Sequence, residues 1–229
     1  MIIKGFAKLT LLDYPGRVAC TVFTGGCNFR CPFCHNASLV LPDRFGESID
    51  VEDFFSFLDS RKGKLQGVCI SGGEPTLNAN LPDFIKRIKD MGFLVKLDTN
   101  GTAPDMLNVL IEDGLIDYVA MDIKSSPEGY SRAVGLRELD ISKIYRSAEI
   151  LMQKKVDFEF RTTVVRELHT ADDIVKIGNW LKGDEKYFLQ GFIDSGDVIQ
   201  NGFSAYSVAE MNELKKLLCE FIPLAQIRN

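Results

Sequence analysis

Apolar, β-rich runs alternate with helix-patterned runs along almost the whole chain, and this alternation limits the fold more than any other feature. Strands are expected at 18–26, 67–73, 93–101, 117–125, 157–165 and 187–192. Helices are expected at 49–62, 81–92, 104–114, 141–155, 171–182 and 207–222, with a loop at 125–135. The signals are local. Asp50 is placed to cap the first helix. Phe84, Ile85, Ile88 and Met91 share one face of the second, which Gly92 ends. Pro104 suits the first turn of the third. About six β/α units with mostly apolar strands predict an α/β fold around a buried parallel sheet. Right-handed crossovers leave two architectures, a doubly wound sheet or a partial barrel. No linker or composition break divides the 229 residues, so a single domain over 1–229 is expected.

In both architectures ligands sit at the carboxyl ends of the strands. The unusual polar residues of this chain fall there. GGCNFRCPFCHN (25–36) follows the first strand and SGGEPT (71–76) the second. DTN (98–100) ends the third and DIK (122–124) the fourth, while Arg161 lies in the fifth and Gln190 in the sixth.

The six cysteines form two groups. Cys20, Cys69 and Cys219 are dispersed among apolar neighbours and read as small buried hydrophobes. Cys27, Cys31 and Cys34 are spaced C-x3-C-x2-C in one loop, with no fourth cysteine nearby. A structural zinc ion wants four ligands. His35 directly follows Cys34, and adjacent residues rarely reach one tetrahedral ion together. His169, the other histidine, is far along the chain and reads as a surface residue at the start of a helix. A redox dithiol needs only two cysteines. An iron–sulfur cluster held by three thiolates leaves one iron open to an outside ligand.

Composition supports the metal reading. The net charge of −5 argues against a protein that tracks nucleic-acid phosphates. The N-terminal MIIKGFAKLTLLDYPGR is too polar and broken for a signal peptide, and no apolar run is long enough to span a bilayer. A cytoplasmic location follows as the expectation, with thiols kept reduced and a cysteine cluster holding metal rather than a disulfide.

CNFRCPFC resembles the C-x3-C-x2-C signature of the radical S-adenosylmethionine (SAM) superfamily. The resemblance implies a partial (β/α)6 barrel in which Cys27, Cys31 and Cys34 hold a 4Fe–4S cluster. SAM would then chelate the open iron through its amino and carboxylate groups. Phe33 matches the aromatic residue near the adenine; simple loop packing is its ordinary alternative. Gly72, Gly73 and Glu74 resemble the GGE motif that receives the SAM amino group, glycine allowing close backbone approach. LDTNG and MDIK resemble segments of the glycyl-radical-enzyme activases. This implies that Asp98, Thr99, Asp122 and Lys124 lie near the methionyl and ribose groups, with a monovalent cation beside Asp98 and Asp122. An Asp98–Lys124 salt bridge at the barrel rim is the plainer alternative. Arg161, an arginine in an apolar strand, needs an anionic partner, either the SAM carboxylate or Asp122. LLDYPGR (11–17) is similar to the activases' lead-in before the first strand, which makes Asp13 a candidate contact for the protein substrate; a simple turn is its alternative.

Within the superfamily the match is densest with activating proteins of anaerobic ribonucleoside-triphosphate reductase. The implied partners are that glycyl radical enzyme and a flavodoxin- or ferredoxin-type electron donor, with no nucleic acid and no membrane. Some activases carry a cofactor-contacting histidine in the last strand. Here that stretch reads LQGF (189–192), so Gln190 stands in that place. The alternatives are an activase of another glycyl radical enzyme and an enzyme acting on a small molecule such as a deazapurine precursor. The deazapurine family places Asp-Thr after its third cysteine, whereas His35 and Asn36 stand here. Segments 125–136 and 194–206 are candidate covers for the strand mouth.

Overall fold

The structure, a computed structural model, describes residues 1–184, 186–194 and 196–228. Its eight strands lie in space in the order of the chain. They are β1 (Ile3–Thr10), β2 (Ala19–Thr24), β3 (Gly67–Gly72), β4 (Leu94–Thr99), β5 (Tyr118–Asp122), β6 (Asp157–Val164), β7 (Tyr187–Gly191) and β8 (Gln226–Arg228). From β2 to β8 every neighbouring pair is parallel. A doubly wound sheet reverses its strand order at a switch point. This order never reverses, and β1 and β8 remain as two unjoined edges, so the wall curls into a partial barrel.

The helices are α1 (Ala37–Val40), α2 (Val51–Asp59), α3 (Leu81–Asp90), α4 (Pro104–Glu112), α5 (Tyr130–Ala133), α6 (Ile141–Met152), α7 (Ala171–Trp180) and α8 (Val208–Cys219). The six long ones are those expected, each a few residues shorter. The Asp50 carboxylate accepts from the Glu52 amide at 2.8 Å and starts α2. Gly92 takes φ 89°, the left-handed conformation that stops α3. No helix among the described residues is long and apolar enough to cross a membrane.

Three features depart from expectation. β1 occupies a segment for which no strand was expected; it pairs antiparallel with β2, Thr10 opposite Ala19, and so runs away from the strand mouth. β8 adds a short strand at the other edge. The central strands are also apolar on one face only. Val22, Ile70, Leu97, Val119, Met121, Phe160 and Leu189 are buried in the main apolar core. The alternate positions, which face the barrel interior, carry Lys96, Asp98, Asp122, Glu159 and Arg161. Barrel curvature explains this: the outer face packs against helices, while the inner face encloses a polar column. At the amino ends of the strands the column closes with Glu159, which accepts from Tyr118 at 2.9 Å and from both Arg228 terminal nitrogens at 2.6 and 2.9 Å.

Candidate functional site

At the carboxyl ends of the strands one cavity is lined by Cys27, Cys31, Phe33, Cys34, Gly72, Gly73, Glu74, Asp98, Thr99, Asp122, Lys124, Arg161 and Gln190. Thirteen of the fourteen residues expected at the site therefore share one lining. Asp13 is the exception. Its carboxylate accepts from the Thr21 hydroxyl, and β1 delivers it to the end of the strands opposite the mouth, so it makes no contact there.

The cysteine loop is held by backbone contacts from several directions. Arg30 N–H donates to Val134 O at 2.9 Å, and Gln200 N–H donates to Pro32 O at 2.9 Å. Asp197 O accepts from Ala37 N–H at 3.1 Å. Parts of the two segments expected to cover the mouth thus clasp the loop instead; Ser195 lies outside the described residues. Gly26 O accepts from Glu74 N–H at 2.8 Å, tying the loop to the GGE turn. A side chain at Gly73 would bring its Cβ to 2.0 Å of Gly26 O. At Gly135, with φ 67°, it would meet Arg30 O at 2.2 Å. Both glycines are required by close backbone approach.

All three thiols are reduced and line the cavity. Burial pushes Cys27 up to about 11, Cys31 up to about 12 and Cys34 upward as well. Thiolates here need positive charge, which Lys124 supplies in part and a bound metal centre would complete. Phe29 N–H points at Cys27 Sγ at 3.4 Å, and Asn100 Nδ2 lies 3.8 Å from it. No three His, Cys, Asp or Glu side chains among the described residues are arranged to hold a single metal ion. The three cysteines face a common space without converging on one point. That donor set fits a multi-iron cluster and does not fit a zinc ion.

Glu74 is buried, and its carboxylate is fully engaged by the protein. Oε1 accepts from Thr76 N–H at 3.1 Å, Thr76 Oγ1 at 2.5 Å and Thr99 Oγ1 at 2.8 Å; Oε2 accepts from Asn100 N–H at 2.6 Å. Burial raises its pKa, and these donors oppose that rise. The side chain thereby staples the end of β3 to the end of β4.

Five charged groups alternate in sign across the inner wall. The Lys96 ammonium binds Asp98 Oδ1. Asp98 Oδ2 accepts from Ser71 Oγ at 3.0 Å and lies 3.5 Å from Arg161 Nη2. Arg161 Nε donates to Asp122 Oδ1 at 2.9 Å, and Lys124 Nζ to Asp122 Oδ2 at 3.0 Å. Burial works against ionising Asp122, but Arg161 and Lys124 outweigh it and hold the carboxyl well below the usual range. Arg161 thus has Asp122 as the anionic partner anticipated for it, and Asp98 as a second. The Asp98–Lys124 bridge is not formed: Lys124 belongs to Asp122, and Lys96 takes its place at Asp98. Lys96 was overlooked although its signal is legible. In VKLDT, Lys96 and Asp98 are two apart in a strand and must share a face.

His169 also differs from expectation. It is buried, not a surface residue. Val165 N–H donates to Nδ1 at 3.0 Å, so Nε2 carries the proton and donates to Lys124 O at 2.7 Å. Its ring meets Phe33 edge-on, centroids 6.2 Å apart. The histidine braces the turn after β5 against the cysteine loop, and burial lowers its pKa.

The chain belongs to the radical SAM superfamily: the model of that family matches residues 21–181. It is accordingly an enzyme of a family that uses a 4Fe–4S cluster and SAM. Within the family it is similar to activating enzymes. It is 35% identical over 220 residues to a Methanocaldococcus jannaschii protein named as a glycyl-radical enzyme activating enzyme, covering 94% of this chain and 90% of that one. It is 29% identical to the pyruvate formate-lyase 1-activating enzyme of Escherichia coli K12 over 75% of this chain and 70% of that one. In fold it is similar to Streptococcus suis SuiB bound to S-adenosylmethionine, with a TM-score of 0.70 at 12% identity, over 90% of this chain and 49% of that one. The E. coli QueE structure matches with a TM-score of 0.57 at 17% identity, over 100% of this chain and 93% of that one.

Proposed function

We propose that this chain is a cytoplasmic activating enzyme that installs a glycyl radical on a partner protein, and that the partner is anaerobic ribonucleoside-triphosphate reductase. The observation that carries the reading is the convergence of the cysteine loop, GGE, DTN, DIK and Arg161, the segments that resemble activases, on one cavity. The similarity to named activating enzymes over most of the chain supports it.

Cys27, Cys31 and Cys34 would hold the cluster. With cluster and SAM bound, the chemistry supplied would be one-electron cleavage of the SAM S–C5′ bond to methionine and a 5′-deoxyadenosyl radical able to take a hydrogen atom from a glycine Cα. The protein's own part is placement and exclusion of water. Phe33 offers an apolar face beside the cysteines, and the Gly72–Gly73 turn lets the backbone approach the ligand. Asp98, Thr99, Asp122 and Lys124 present polar groups to its methionyl and ribose portions, and Gln190 an amide from the last long strand. A flavodoxin- or ferredoxin-type protein is the proposed electron donor.

The test is electron paramagnetic resonance on an anaerobic mixture of cluster-loaded protein, SAM, a reductant and the reductase from the same cell. A glycyl-radical doublet on the reductase is expected. Formation of 5′-deoxyadenosine with no doublet overturns the choice of partner and directs the search to other glycyl radical enzymes and to small molecules.

A further inference from the structure

The place beside Asp98 and Asp122 where a monovalent cation was expected is already filled with positive charge. Lys96, Arg161 and Lys124 face two carboxylates, a net charge of about +1 for the group. Each carboxylate oxygen has a protein donor or cation against it. A metal ion inserted there would sit among three side-chain cations, beside carboxylates whose charge they already neutralise. The carboxylates therefore do not fit a metal ion.

Lys96 is unusual within the set. Its side chain is 1% exposed, deeper than Arg161 at 13% and Lys124 at 18%. Besides Asp98 its ammonium contacts the Cys69 sulfur, at 3.8 Å. A lysine ammonium is a compact single charge on a flexible stem, as close as a side chain comes to a monovalent ion. Burial favours its neutral form, and Asp98 more than reverses that. It neutralises Asp98 from behind, so that the five-group set keeps a net charge of about +1 toward a ligand's anionic group.

We infer that Lys96, beneath the cavity lining and behind Asp98, serves in place of a bound monovalent cation, so that this chain binds SAM without sodium or potassium ions. The inference concerns SAM binding and is independent of which partner is activated. The test measures SAM affinity and SAM-induced thermal stabilisation of the anaerobic, cluster-loaded protein, with tetramethylammonium as the only monovalent cation, then with sodium or potassium at equal ionic strength. The wild type is expected to differ by less than about twofold in affinity between these buffers. Lys96→Met is expected to lose about tenfold or more in affinity in tetramethylammonium and to regain part of it with sodium or potassium. Lys96→Arg, which keeps the charge, is expected to remain insensitive to the ion. A wild type whose affinity falls about tenfold without sodium or potassium and recovers on their return overturns the inference, and this arm needs no variant to fold. Wild-type affinity of Lys96→Met in tetramethylammonium overturns it as well.

Discussion

Replacing Asp98 by Asn keeps shape and one acceptor oxygen but removes the charge that holds Lys96 in the barrel wall. The consequence can be sized. Breaking one partner of a buried pair costs about 3–5 kcal/mol. A ceiling comes from the lysine itself, which can escape by losing its proton. Starting from a free pKa of about 10.4, deprotonation at pH 7 costs about 3.4 × 1.36 ≈ 4.6 kcal/mol, so the lysine's share of the penalty cannot exceed that. Asp98→Asn should therefore lose about 3–4.6 kcal/mol at pH 7. At roughly 2–4 °C per kcal/mol for a chain of this size, Tm should fall by about 6–18 °C. The pH dependence has a definite sign. In the variant the folded-state Lys96 pKa lies below its unfolded value, so the unfolded chain binds more protons and the variant gains stability as pH rises. At pH 9 the ceiling drops to about 1.4 × 1.36 ≈ 1.9 kcal/mol. Thermal unfolding followed by circular dichroism at both pH values measures this directly. A loss under about 1 kcal/mol at pH 7, or a deficit that does not shrink by pH 9, would refute the claim that Lys96 is a buried cation dependent on Asp98.

Other outcomes follow from the same contacts. Cys31→Ala should keep the fold, since it removes one buried thiol with no hydrogen-bond role, yet it should abolish cluster retention and 5′-deoxyadenosine formation; iron content and product analysis read both. Gly73→Ala forces a Cβ against Gly26 O at 2.0 Å, so the cysteine loop must shift, and iron incorporation should fall by about half or more at a stability cost of roughly 2 kcal/mol or above. His169→Leu strands Val165 N–H and the Lys124 carbonyl, a loss of about 2–6 kcal/mol at one to three per orphaned group. The wild type should lose part of that advantage in acid: the folded His169 pKa is depressed, so the unfolded state binds its proton first as pH drops below about 6.5. Equal pH profiles for wild type and variant between pH 5 and 8 would contradict this role.

Much of the architecture was legible because parallel strands and amphipathic helices have different periods, and because Asp50, Gly92 and Pro104 are local stop and start signals. The carboxyl-end rule then gathered distant motifs at one mouth before any contact was known. What escaped reading has physical causes. A one-sided apolar strand and a two-sided one look alike when the inner polar residues are few, so Lys96 and Glu159 drew no attention and their column with Asp98 and Arg161 went unrecognised. The partner of an ion pair is decided by register and curvature: Asp122 stands opposite Arg161 across β5 and β6, and no spacing in the chain states that. His169 was misplaced because burial of a histidine depends on whether both ring nitrogens find partners, here the backbone of Val165 and Lys124. β1 was missed since its pairing with β2 is antiparallel and falls outside the β/α rhythm.

The backbone clasp around the cysteine loop bears on how the metal centre is assembled. Where a metal organises its own binding loop, loading and folding are one event, and a chelator unfolds the site. Here the hydrogen bonds from Arg30 to Val134, from Gln200 to Pro32 and from Glu74 to Gly26 join main chain to main chain. These bonds themselves offset the conformational entropy of ordering the loop, so the ordering need not come from iron. The socket is preorganised, so stripping the iron should leave a folded receptor that iron and sulfide can refill, and oxygen damage to the cluster is an injury to the occupant rather than to the protein.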